Sequence, residues 1–140
     1  MLPKTINIGN TKGFTLLEVM IVIIIIGVLA SLALPRYFRT IEYARGIEGM
    51  LTMVSIRQSL ERCYMMQRDY TNCNFGILDL EDPGGVPNAH FSYNIIGALQ
   101  AYTITAFRNS RDGGSGGTIS VTFNGTTITR GGSGPYGAIQ

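Results

Sequence analysis

The residues with the clearest chemical potential lie near the amino terminus, where Lys12, Gly13, Phe14 and Glu18 stand at the head of an otherwise uncharged apolar run. A carboxylate inside an apolar helix costs about 2.5–3.5 kcal/mol near a bilayer centre and less toward its edge, so Glu18 needs a partner. Hydrolysis after Gly13 would supply one. The new amine on Phe14 is cationic, and Glu18 follows four residues later, about one helical turn away. The pair can close within one chain or between two neighbours, and between neighbours it would set the axial stagger of a filament.

Other candidate chemistry is sparse. Cys63 and Cys73 lie ten positions apart, and an exported chain meets oxidising conditions that favour their pairing. Such a loop would add roughly 2–3 kcal/mol on the chain-entropy account. The alternatives are two buried thiols or a metal site, but metal wants further Cys or His ligands and His90 is the only histidine. His90 has no evident nucleophile beside it, and no glycine-rich nucleotide motif follows a strand, so no enzyme and no cofactor is expected. The run DGGSGG at 112–117 lacks the Lys and Ser/Thr of a phosphate loop. Its single carboxylate, Asp112, is too few donors for calcium, and it reads as a flexible strand connection.

These groups need elements to position them. Residues 14–34, FTLLEVMIVIIIIGVLASLAL, carry one charge and are long enough as a helix to cross a hydrocarbon core of about 30 Å. β-Branched residues dominate the run, yet in lipid the backbone must satisfy its own hydrogen bonds and helix is enforced. A removable secretory signal, a simple membrane anchor and a buried core helix compete with a membrane-spanning assembly helix. Against the first, the run exceeds the 7–15 apolar residues of a usual signal core and places Glu18 almost at its start. Pro35 removes an amide donor and should kink or locally melt the helix, with Gly27 a second weak point.

The string KGFTLLEVMIVIIIIGVLASLALPRY, Lys12 to Tyr37, closely resembles the class III signal and amino-terminal helix of type IV pilins and of the pseudopilins of type II secretion. The resemblance implies cleavage after Gly13 by a prepilin peptidase, methylation of the new Phe14 amine, and a role for Glu18 in docking onto a growing filament. It also implies a melted stretch near Pro35 in the filament. The leader would lie in the cytoplasm and the chain beyond Pro35 outside, an orientation the flanking basic residues do not decide.

Beyond Pro35 the chain again reads as helix, with two apolar stripes. Ile41, Ala44, Ile47, Leu51 and Val54 fall on one side, and Met53, Ile56, Leu60, Cys63 and Tyr64 well round from them. Two faces need two partners: one stripe for the chain's own sheet, the other for the filament interior. Met50, Met53, Met65 and Met66, with Phe14, Tyr37, Phe38, Tyr43, Tyr64 and Tyr70, read as packing groups. Residues 72–88 form a turn-rich loop held at Cys73. Strands are predicted at 90–96, 101–107, 118–123 and 126–130. Asn124-Gly125 suggests a two-residue hairpin loop, pairing Phe123 with Thr126 and Val121 with Ile128.

The expected fold class is therefore α+β, a long amino-terminal helix packed against a small antiparallel sheet. The expected organisation is a leader at 1–13, an assembly helix at 14–35, its amphipathic continuation at 36–70 and a head at 71–140. The leading function is a structural subunit, the major pilin, of a type IV pilus: a homopolymer held in the inner membrane before assembly, then an extracellular filament. Its partners would be the prepilin peptidase and the pilus assembly machinery. The rivals are the major pseudopilin of type II secretion and a minor adhesive or DNA-binding pilin. With Lys4 and Lys12 removed, nine arginines face nine acids, which argues against general nucleic-acid binding. A local patch of Arg108, Arg111 and Arg130 stays open.

Overall fold

The computed structural model describes residues 13–110, 112–114 and 116–137; the leader residues 1–12 with Lys4 and Lys12, Arg111, Ser115 and the last three residues lie outside the described set. One helix, α1, runs Leu16–Gln67, and it is followed by strands β1 (Phe91–Gly97), β2 (Tyr102–Arg108), β3 (Thr118–Phe123) and β4 (Ile128–Gly132) and a 3₁₀ turn at Gly134–Tyr136. The chain divides into two compact units, one ending at Tyr37 and the other Phe38–Gln140.

In the first unit the helix is apolar all round. Its side chains are exposed from Leu16 to Leu34, with Ala30 alone half-buried. By length and composition it is apolar enough to cross a membrane. In the single chain helix continues through Pro35, where the sequence predicts a kink or local melting and the resemblance a melted stretch in the filament. The proline costs the Ser31 carbonyl its usual donor, one bond in a long ladder.

In the second unit α1 buries a single stripe, Gly46, Gly49, Met53, Ile56, Ser59, Leu60 and Cys63, at the three- and four-residue spacing of one helix face. The sheet is fully antiparallel in the order β1-β2-β3-β4. Ile104 and Ala106 from β2 and Ile119 from β3 meet Ile56 and Leu60 with no exposure left. Burial of a large aliphatic side chain stabilises by about 1.5–3 kcal/mol, so this face is the main source of the head's cohesion. Two glycines allow close approach. A Cβ at Gly49 would lie 3.1 Å from the Phe91 ring, and one at Gly97 only 1.9 Å from the Tyr70 carbonyl oxygen. The second contact is with backbone, where the chain leaving α1 returns to β1 through the Tyr70 amide on the Ala98 carbonyl at 3.2 Å.

Cys63 and Cys73 are joined by a disulfide with Cα atoms 6.2 Å apart, fastening the end of α1 to the loop that follows. Around it Tyr64 stacks on Tyr70 at 4.6 Å between ring centres, and Tyr70 meets Tyr102 edge-on at 4.9 Å.

The strands lie close to the predicted spans, but the last hairpin corrects the register. Phe123 pairs with Ile128 and Val121 with Arg130, leaving four residues in the loop. The cause is the Asn124 side chain, whose Oδ1 accepts from the amides of Thr126 and Thr127 at 3.1 and 2.8 Å. Gly125 takes φ +90° while Asn124 does not take positive φ, so the tight turn that needs both is not made. A slip of two residues preserves facing, so Ile128 stays on the Val121 side but remains 42% exposed.

Candidate functional site

Gly13, Phe14 and Thr15 precede the helix in non-helical backbone, and all three are exposed. The Gly13–Phe14 bond is thus presented outside regular structure, with nothing within 4 Å of where a Gly13 Cβ would stand. Thr15 caps the helix. Its amide and hydroxyl both donate to Glu18 Oε2, at 2.9 and 2.8 Å, and its hydroxyl oxygen accepts the Glu18 amide at 3.2 Å. This reciprocal capping box satisfies two amides that a helix start otherwise leaves open. The sequence signal for it is Thr-x-x-Glu at 15–18, which gives Glu18 a second role beside that of partner for an amine. One carboxylate oxygen closes the cap, while Oε1 has no hydrogen bond among the described residues.

In the second unit the predicted stripes separate. Met53, Ile56, Leu60 and Cys63 form the core with Tyr64 packed against it, whereas Ala44, Ile47, Leu51 and Val54 are exposed and Ile41 half-buried. Of the methionines, Met53 is buried and Met65 and Met66 are more than 70% exposed.

No local pattern in the sequence marks the ionic clasp built on Arg108. Its side chain is fully buried, with Nε and a terminal nitrogen on the two Glu42 carboxylate oxygens at 3.1 and 3.2 Å. It also reaches Asp112 at 2.8 Å and the His90 and Asn109 carbonyls at 3.1 and 2.7 Å. Tyr136 donates to Glu42 Oε2, and Arg45 bridges Glu42 and Asp112 at 2.8 and 3.0 Å. The Arg108 guanidinium holds the Glu42 carboxyl down at about 2, with Tyr136 and Arg45 assisting against burial. Burial, reinforced by the Glu42 charge, pushes the Tyr136 hydroxyl up to about 12. A buried arginine is tolerable only when every donor is met, as here.

The clasp corrects one expectation. Arg108 was a candidate for a nucleic-acid patch, but its donors are saturated internally and no phosphate can reach them. Arg111 lies outside the described residues, and Arg130 is exposed on β4. Asp112, the carboxylate of the glycine-rich loop, is taken by Arg108, Arg45 and His90 Nδ1. Among the described residues no three His, Cys, Asp or Glu side chains gather as a metal-ligating group.

Comparison with known proteins bears on the amino-terminal segment most directly. Residues 8–34 match the prokaryotic N-terminal methylation motif. The chain is 34% identical over 89 residues to type II secretion system core protein G of Escherichia coli (strain K12), covering 64% of this chain and 61% of that protein. It is 37% identical over 65 residues to a type IV major fimbrial protein of Dichelobacter nodosus, 46% of this chain and 42% of that protein. It is also 37% identical over 75 residues to the type IV major pilin protein of Neisseria gonorrhoeae, 54% of this chain and 31% of that protein. The matches thus span from 31% to 61% of these relatives' lengths. No solved structure matches the chain. With relatives of both kinds and a long helix packed on a four-stranded antiparallel sheet, this is a pilin/pseudopilin-like protein in which neither kind is singled out.

Proposed function

We propose that the chain is the major structural subunit of a type IV pilus, polymerising through its apolar helix after removal of the leader at 1–13 and methylation of Phe14. The observation that carries this reading is the helix half ahead of Pro35, which buries no apolar side chain within its own unit yet carries an ionisable group, Glu18, at its start. A plain anchor gains only the helix cap from that carboxylate, whereas a helix that must dock against copies of itself also gains a registration point. On this reading the amine is received by Glu18 Oε1, which the capping box leaves without a hydrogen bond among the described residues. The partners on this reading are the prepilin peptidase at Gly13 and Phe14, the assembly machinery, and the inner membrane before the subunit enters an extracellular filament. Segments 14–35, 36–70 and 71–140 then serve as assembly helix, helical continuation and head.

The second reading, the major pseudopilin of type II secretion, is favoured by the 89-residue similarity to a core protein of that system. Pseudopilins of that kind usually carry a tryptophan and an acidic carboxy-terminal calcium site. This chain has no tryptophan, and its Asp112 is held by arginines.

Mass spectrometry of filaments sheared from the cell surface tests both. The pilus reading expects this chain as the abundant subunit, beginning at methylated Phe14. Its absence from surface filaments, with loss of protein export when the gene is deleted, would move the assignment to the pseudopilin. Glu18→Ala should leave membrane insertion intact and sharply reduce filaments; normal filament yield would sink the docking role.

A further inference from the structure

Among the described residues of the second unit Arg39, Arg57, Arg68 and Arg130 make no ion pair, and two of them share one site. Arg57 of α1 and Arg130 of β4 line one small cleft with Met53, Val54, Val121 and Ile128. Neither makes an ion pair among the described residues, and the Arg57 Nε is buried without a hydrogen-bond partner. Glu61, one turn along from Arg57, instead accepts the Tyr70 hydroxyl at 3.3 Å. Two like charges in one cleft repel until a carboxylate from outside arrives. Apolar residues flank the site, with Leu51 at 64%, Val54 at 39% and Ile128 at 42% exposure.

The opposite edge of the sheet has the opposite sign. β1 and β4 are the two edges, and Gly84 lies against the backbone of Ser92 in β1, bringing the exposed Glu81 and Asp82 to that side. Glu48 belongs there too, since burial together with the Glu48 and Asp82 charges raises the Tyr93 hydroxyl in β1. Along α1, Glu48 and Arg57 are nine residues apart, half a turn out of phase at about 100° per residue, and so face opposite flanks.

We infer that the head carries a heterologous contact between copies of this chain, in which the Arg57–Arg130 cleft of one copy receives the Glu81–Asp82 edge of the next. The inference rests on the filament reading and adds to it a lateral contact outside the apolar helix. A contact between unlike patches leaves one of each unfilled on the end copies, so it propagates into an open helix instead of closing as a dimer. Charge balance favours this occupant over a polyanion. With the leader gone the chain is neutral, and Glu48, Glu81 and Asp82 have no cationic partner among the described residues, so the unmet charges can answer one another.

The test uses the full chain in filament-producing cells. Arg130→Glu alone and Glu81→Arg alone should each cut sheared filament yield by about tenfold, as expected for facing like charges, with membrane-embedded subunit and the Cys63–Cys73 disulfide unchanged. Combining the two should restore filaments. Independently, Arg130→Cys with Glu81→Cys should give a ladder of cross-linked subunits on oxidation of intact filaments. Unchanged filament yield in both single variants with no ladder overturns the contact while leaving the filament reading standing. Absence of filaments from the unaltered chain removes both. If Arg130→Glu spares filaments but abolishes their salt-dependent binding of duplex DNA, the cleft serves nucleic acid and the contact is likewise overturned.

Discussion

Tyr136 donates a 2.6 Å hydrogen bond to Glu42, joining the final turn of the described chain to a helical residue 94 positions earlier. The same carboxylate holds Arg108, so three distant segments meet on one pair of oxygens. Glu42 ordinarily titrates at 4.5 and falls to about 2 in the folded head. A depressed carboxylate stabilises the fold above its unfolded value and loses that contribution as pH drops from about 4.5 toward 2. Tyr136, raised from 10.0 to about 12, stabilises below pH 10 and loses its contribution as pH climbs through that interval. Urea unfolding of the detergent-solubilised chain should therefore show both limbs. Glu42→Gln should remove the part of the acid limb due to this residue, leaving the parts that belong to Asp79 and Asp112, whose carboxyls are also held down by arginines. Tyr136→Phe should remove the part of the alkaline limb due to this residue.

Arg108→Met should be far more damaging than Arg130→Met. The first strands Glu42 and Asp112 beside a buried aliphatic chain, a loss of about 3–5 kcal/mol when one partner of a buried pair is removed. The second removes an exposed side chain and should change stability by less than about 0.5 kcal/mol. Adding Glu42→Gln to Arg108→Met should recover part of the loss, and a double-mutant cycle by thermal unfolding measures how much.

Replacing both Cys63 and Cys73 with serine should lower head stability by roughly 2–3 kcal/mol on the chain-entropy account for so short a loop. The comparison is unfolding in denaturant with and without reductant. The reduced natural chain and the double-serine chain should converge on similar midpoints.

Gly97→Ala and Gly49→Ala separate backbone from side-chain crowding. At Gly97 the new methyl meets the Tyr70 carbonyl, which cannot retreat without breaking the return from α1 to β1, and a loss of at least about 1–3 kcal/mol is expected. At Gly49 the neighbour is the Phe91 ring, and helix propensity gains up to about 1 kcal/mol, so the net change should be small. Equal losses at the two positions would contradict this account of the contacts.

What could be read in advance followed periodicity. The buried stripe of Met53, Ile56, Leu60 and Cys63 stood at helical spacing, and the strands announced themselves by β-branched runs, so both were visible without a structure. The features that depend on one side chain arriving from a distance were not. Arg108 looks like a surface charge until Glu42 and Asp112 cover it, and nothing in a Gly-Ser-Gly-Pro-Tyr-Gly tail marks Tyr136 as a core residue with no exposure. The hairpin register failed for a local reason: a dipeptide rule ranked Asn124-Gly125 by backbone preference and ignored the competing side-chain hydrogen bonds.

The uncovered helix half has a kinetic consequence as well as a structural one. A segment with nearly every apolar side chain exposed has no stable place in water, so on the filament reading a subunit never searches for its neighbours through solution. Its search is two-dimensional, confined to the plane of a bilayer. The rate of encounter then depends on how many subunits share a given area of membrane, not on their concentration in a volume.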